Sequence, residues 1–186
     1  MQRRHHRPAL GSLLVMLAFM LLAGCNPKPK APALLDEPVF QSDEGFRFLV
    51  PEGWIIAARG NVPPGHLDKE RLLVQYLRTD SDAQATLEVS VADLPEDANL
   101  AAYLSGPSYS ARQWKQIGSQ EKLEAGGRPG DRYRFTARIN NAVVDKEVTA
   151  FRRGGRVYFF TLLFPHAEAT APEQIRRAIG RLVWTK

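Results

Sequence analysis

The sequence predicts an α+β domain, an antiparallel sheet flanked by helices, and three stretches carry that prediction. Residues 131–139 alternate Arg132, Arg134, Thr136 and Arg138 against Tyr133, Phe135, Ala137 and Ile139, the period of a strand with one wet face. Residues 157–164 are apolar on both faces, so their sheet needs cover on both sides. Residues 170–184 set Ile175, Ile179, Leu182 and Val183 on one stripe opposite Arg176, Arg177 and Arg181, an amphipathic helix able to supply one cover. Such elements stack in layers around a shared core.

At the start of the chain, Arg3, Arg4 and Arg7 precede an uncharged run over residues 9–24 that ends in Leu22-Ala23-Gly24-Cys25, with Cys25 the only cysteine. A basic segment, a short apolar run and small residues before a cleavage point make a secretory signal. Spanning a bilayer takes about 20 apolar residues, more than this run offers. The stretch resembles the lipobox of bacterial lipoproteins, which implies cleavage before Cys25, a diacylglyceryl group on its thiol and acylation, such as palmitate, of the new amino group. An uncleaved signal anchor with a chance cysteine is the competing reading. Arg3-Arg4 is followed by His5-His6, which departs from the twin-arginine pattern and favours general secretion.

Residues 1–24 are therefore expected to be a lipoprotein signal peptide, 25–44 the lipidated cysteine and a proline-rich tether, and 45–186 one folded domain. Lys and Arg number 25 against 20 acids. Removing the signal's three arginines leaves 25 − 3 = 22 against 20, so the basic character argues little for nucleic acid, and no nucleic-acid partner is expected. Pro27, Pro29 and Pro32 favour an extended tether that, at about 3.1 Å per residue, could reach some 50 Å. Asn26, where an aspartate would retain an enterobacterial-type lipoprotein at the inner membrane, favours the periplasmic face of the outer membrane in a Gram-negative source.

The domain is expected to open with strands over 45–50 and 54–58, joined as a hairpin by Pro51-Glu52-Gly53. A loop over 61–66 and strands over 72–77 and 85–92 follow. Leu94, Leu100, Ala101 and Leu104 suggest a helix over 93–105, stopped by Gly106-Pro107, with a second short helix over 108–116. The three-strand meander over 130–165 turns at Asn140-Asn141 and Gly154-Gly155, residues suited to positive φ. The first turn sets a register in which opposed residue numbers sum to 281, placing Arg134 opposite Glu147 and Thr136 opposite Asp145. Thr170 and Glu173 fit a capping box for the last helix. Trp54 and Trp184 are expected in the core, and Trp114 at the surface.

Three segments together resemble the PsbP-like group: Gly45-Phe46-Arg47-Phe48-Leu49-Val50-Pro51-Glu52-Gly53-Trp54, then Gly126-Gly127-Arg128-Pro129-Gly130-Asp131-Arg132-Tyr133-Arg134-Phe135, then Gly155-Arg156-Val157-Tyr158-Phe159-Phe160. That group includes the extrinsic photosystem II subunits, a Ran-binding relative and many bacterial lipoproteins. The resemblance implies an α/β/α sandwich with a central antiparallel sheet over residues 45–186, and a binding or assembly role rather than catalysis. Fold-level likeness does not transmit a partner.

The sequence has no Gly-x-Ser-x-Gly elbow, phosphate-binding glycine loop or zinc-type ligand spacing, and no cofactor or metal is expected. His66 with Asp68, and His166, are the candidate acid–base or metal-ligating residues. A serine nucleophile would have to be Ser81, Ser105, Ser108 or Ser110, and spacing pairs none of them with a histidine. Arg128, Arg132, Arg134, Arg138, Arg152, Arg153 and Arg156 crowd the meander as a possible surface for anionic headgroups, glycans or an acidic protein. Alternatively they are solvated charges paired with Glu147, Asp145 and their neighbours, contributing at most about 1 kcal/mol each.

The expected function is a lipid-anchored, non-catalytic binding or assembly module for a protein or another envelope component. The alternative is an envelope hydrolase or metal-dependent enzyme using His66 and Asp68 or His166. Substituting Cys25→Ser should leave an uncleaved or unlipidated product that no longer fractionates with membranes as the parent does; mass spectrometry and detergent partitioning of both forms check this.

Overall fold

The computed structural model describes residues 34–41, 44–60, 70–79 and 84–185, with side chains from residue 44 onward. In chain order the first strands are β1 (Leu34–Gln41), β2 (Phe46–Pro51), β3 (Trp54–Arg59), β4 (Glu70–Arg78) and β5 (Thr86–Asp93). A short helix α1 (Leu100–Ser105) precedes β6 (Lys115–Gln116), β7 (Glu121–Ala125), β8 (Arg128–Ile139), β9 (Ala142–Arg153) and β10 (Arg156–Pro165). Helix α2 (Thr170–Gly180) and strand β11 (Val183–Trp184) complete the series. Eight strands form one antiparallel sheet in the order β3-β4-β5-β10-β9-β8-β6, with β7 also on β8, and β1-β2-β11 form a second sheet.

The doubly apolar strand dictates the layers. β10 lies between β5 and β9, and its alternate residues feed two separate cores. Tyr158, Phe160, Leu162 and Phe164 join Phe46, Phe48, Tyr76, Phe151 and the α2 residues Ile175 and Ile179 on one face. Val157 and Phe159 join Leu100, Leu104, Trp114, Tyr133 and Phe135 on the other. Rings in the first core meet edge to face: Phe46 and Phe48 each stand 5.7 Å from Phe160. This geometry suits the ring quadrupoles.

The meander forms in the expected register, with Arg134 opposite Glu147 and Thr136 opposite Asp145. Asn140 and Asn141 take φ of 47° and 68°, and Gly154 and Gly155 take 59° and 76°, conformations that tight two-residue hairpins require.

Elsewhere the structure departs from the sequence reading. Residues 34–41, placed in the tether, are strand β1 paired with β2, so the folded region begins before residue 45; residues 1–33 lie outside the described residues. β2 and β3 do not form a hairpin. β2 pairs with β1 and β11, while β3 pairs with β4, and Gly53 at φ 83° carries the chain from one sheet to the other. The helix expected over 93–105 is only α1: Asp93 ends β5, and the Asn99 side chain accepts from Ala102 N at 3.1 Å, capping the helix there.

Residues 108–116 are not helical. Tyr109 and Ser110 take φ of 52° and 66° in a tight turn bridged by Ser108 and Ala111, and this folds Trp114 inward. Trp114 is 1% exposed, not a surface residue, and its Nε1 donates to Ser108 O at 3.2 Å. Helix α2 stops at Gly180, because the chain then extends as β11 and carries Trp184 into contact with Phe46, Phe151 and Tyr158. Val183 consequently points outward. The capping box does not form; the Glu168 carboxylate accepts from Thr170 N and Ala171 N at 2.7 and 3.0 Å instead.

Phe160 touches three rings from two other strands, Phe46 and Phe48 of β2 and Phe151 of β9, so Phe160→Ala should cost about 3–5 kcal/mol. Urea unfolding followed by tryptophan fluorescence checks this.

Candidate functional site

The register of the meander, together with the turn that follows β10, builds a cleft of about 320 Å³ against the N-terminal half of α2. Asp145, Glu147, His166, Glu168, Arg134 and Arg176 line it. The chain leaving β10 folds back so that His166 N donates to Val143 O at 3.2 Å, and this brings the imidazole over β9. His166 Nδ1 then lies 2.9 Å from Asp145 Oδ2. The carboxylate is mostly covered and the imidazole largely open to solvent. Such a pair can orient a ring nitrogen toward solvent, the first requirement of an acid or base.

Two other acids of the cleft, Glu147 and Glu168, are committed to structural partners. Glu147 is buried, and Arg176 reaches it with both Nε, at 2.8 Å, and Nη2. Arg132 Nε lies 3.3 Å from the same carboxylate. Arg134, opposite Glu147 across the strands, instead extends to Glu121 at 3.7 Å. The hydrogen bond to Glu147 holds the Arg176 guanidinium above its ordinary pKa. Burial alone would raise the Glu168 carboxyl, but the N–H groups of Ala171 and Thr170 and the Arg78 guanidinium at 2.9 Å outweigh it and keep it below the usual range. Asp145 is the exception: its Oδ1 is buried without a hydrogen-bond partner.

The remaining arginines separate by position. Arg152 donates to Pro95 O and Ala98 O at 2.9 and 2.8 Å, holding the segment that leads into α1. Arg153 donates to Gly45 O at 2.7 Å and Thr185 O at 2.8 Å, tying the start of β2 and the end of β11 together across the face of Trp184. Arg156 pairs with Asp93 and Glu44, and Arg128 stands 5.8 Å over Trp184. Arg138 is exposed beside the Asn140-Asn141 turn. The seven therefore do not converge on one surface.

His66, Asp68 and Ser81 lie outside the described residues. Ser105 Oγ donates to Ala102 O at 2.9 Å, Ser108 is buried, and Ser110 sits in the left-handed turn. Among the described residues no group of three or more His, Cys, Asp or Glu is placed to hold a metal.

Sequence reasoning missed Lys146. It occupies the inward period of β9, between Val144 and Val148, and is 2% exposed. Its Nζ donates to Leu104 O at 2.6 Å and contacts Ser108 Oγ at 3.4 Å, with the Trp114 ring centre 4.4 Å away and that of Phe135 5.0 Å away. Burial pushes its pKa from 10.5 down to about 7, with Glu70 opposing. Beside it Gln75 Nε2 and Tyr109 Oη donate to Glu88 at 2.6 and 2.9 Å, and burial, then Glu88 and Glu70, keep the Tyr109 hydroxyl protonated well past its usual range. Lys146 thus pins the end of α1 and the Trp114 turn to the sheet. The available signal was a charge at an apolar position of the alternation.

No family model and no curated protein matches the sequence. Solved structures do match in shape. Cyanobacterial PsbP (CyanoP) from Synechocystis sp. PCC 6803 superposes with a TM-score of 0.54 at 16% identity, covering 88% of this chain and 99% of its own. LpqN of Mycobacterium tuberculosis, involved in cell envelope biogenesis, superposes at 0.52 and 16% identity over 82% of this chain and 92% of its own. A Pseudomonas aeruginosa protein described as a putative regulator of unknown function gives 0.50 at 13% identity over 83% and 99%. The fold is therefore PsbP-like, as the three sequence segments implied.

Folded Lys146 holds fewer protons than unfolded Lys146 between pH 7 and 10.5, so its contribution to stability rises with pH across that window and is lost as pH falls toward 7. Lys146→Met should flatten the rise between pH 7 and 9, which paired urea titrations at those values would read.

Proposed function

We propose that this protein is exported, held by lipid on Cys25 to the cell envelope, and acts through its PsbP-like domain as a non-catalytic binding or assembly module for a protein or another envelope component. In a Gram-negative source the periplasmic face of the outer membrane is its place. One observation carries the reading: a lipobox-type segment ending in Cys25 precedes a domain that shares its fold with an extrinsic PsbP and with an envelope-biogenesis protein. Among the described residues no helix is long and apolar enough to cross a membrane.

The cleft chemistry supports the same reading. Glu147 accepts from Arg176 and is ion-paired with Arg132, and Glu168 accepts from Arg78 and the α2 backbone, so those acids serve the fold. The second reading, an envelope hydrolase or metal-dependent enzyme, is favoured by one observation, the His166–Asp145 pair at the cleft.

Crosslinking in intact envelopes followed by affinity capture, with Cys25→Ser as control, should return one dominant partner that disappears in the control. The opposite result, no partner together with loss of cellular function in a folded His166→Ala variant, would transfer the assignment to the enzyme.

A further inference from the structure

Among the described residues five large apolar side chains are substantially exposed: Ile55, Ile56, Leu77, Val143 and Val183. Four of them lie at one end of the eight-stranded sheet. Ile55 lies opposite Leu77, and Leu77 opposite Thr86. Thr86 in turn faces Leu163, two residues before Pro165, which is opposite Val144. This end of the sheet therefore runs from Ile55 and Ile56 on the edge strand to Val143 on β9, with exposed Arg138 opposite Val143. The other end is charged, with Asp93, Glu96, Arg152, Arg153 and Arg156.

The apolar end is also where the tether enters. Leu34 pairs with Pro51, three residues before β3 begins. Nine residue steps separate Cys25 from Leu34, so full extension gives no more than about 32 Å of reach. A lipid on Cys25 would thus hold this end close to the bilayer, with Lys28 and Lys30 in the intervening chain to favour anionic headgroups.

We propose that the end bearing Ile55, Ile56, Leu77 and Val143 docks on the anchoring bilayer, the apolar side chains entering the headgroup boundary and Arg138 meeting lipid phosphate. The proposal rests on lipidation of Cys25. Tethering raises the effective concentration of the surface at the membrane, so a few apolar side chains, too weak to bind free bilayer, suffice. An added protein strand on the β3 edge is the competing occupant. The register shift between Ile56 and Ala58 disfavours it, because an irregular edge presents its N–H and C=O groups out of step.

Because Cys25 is the only cysteine and lipid would block it, single cysteines introduced elsewhere can be labelled selectively. Ile55→Cys, Leu77→Cys and the charged-end control Asp97→Cys, purified in lipidated form, would carry an environment-sensitive dye. Each is placed in vesicles of phosphatidylethanolamine and phosphatidylglycerol containing nitroxide-labelled lipid. Quenching at positions 55 and 77 at least about twofold stronger than at 97 is the expected result. Equal quenching at the three positions, with unchanged circular dichroism, overturns docking. Dye uptake by Cys25 in the denatured parent overturns the lipidation reading itself, and docking with it.

Discussion

The constraint on which this structure depends is a strand that cannot face water on either side. β10 alternates Tyr158, Phe160, Leu162 and Phe164 with Val157 and Phe159, and both sets are buried. Burying one such side chain contributes about 1.5–3 kcal/mol, so exposing either face would remove a large share of the roughly 5–15 kcal/mol that holds a domain folded. A sheet centred on β10 must therefore be covered twice. On one face α2 and β2 supply the cover; on the other α1 and the Trp114 turn do so. The second sheet follows from the same need, since Phe46, Phe48 and Val50 reach the first core only from a layer of their own.

Charges are arranged around those covers. Arg176 on α2 meets Glu147 on the sheet, and Glu168 both caps α2 and receives Arg78 from β4, so the helix is fixed by ion pairs at points where its apolar stripe ends. A buried carboxylate left without its guanidinium is costly. On the opposite face Lys146 does comparable work with a single charge, and without a carboxylate among its hydrogen-bond partners. Its ammonium leans on aromatic faces and on the carbonyl that ends α1, contacts that offset part of its desolvation. These charges are in large part the means by which two thin layers are held to a sheet.

The two ends of the sheet are chemically unlike. One carries arginines bound to backbone carbonyls of Gly45, Thr185 and the α1 approach; the other carries exposed aliphatic side chains near the start of β1. Held at one point on a membrane surface, as proposed, such a domain would not present its ends equally. That asymmetry, and not any single residue, relates the fold to the place where the protein is proposed to work.

The sequence by itself determined the meander down to its register, because two turns that demand positive φ leave a strand one way to pair, and period-two alternation decides which face is wet. It determined the amphipathic last helix and the PsbP-like order of segments. Only the tertiary structure decided the rest. β2 and β3 are adjacent in sequence with a turn between them, but pairing them would leave Phe46 and Phe48 outside the first core, so they part into two sheets. Trp114 occupies a segment without periodicity, and its burial follows from a left-handed turn at Tyr109-Ser110 that no local pattern announces; Trp184, expected in the core, packs against it from an extended stretch rather than from the helix. The His166–Asp145 pair and the Lys146 cage join residues far apart in the chain; their geometry depends on how layers stack, which composition and spacing do not encode.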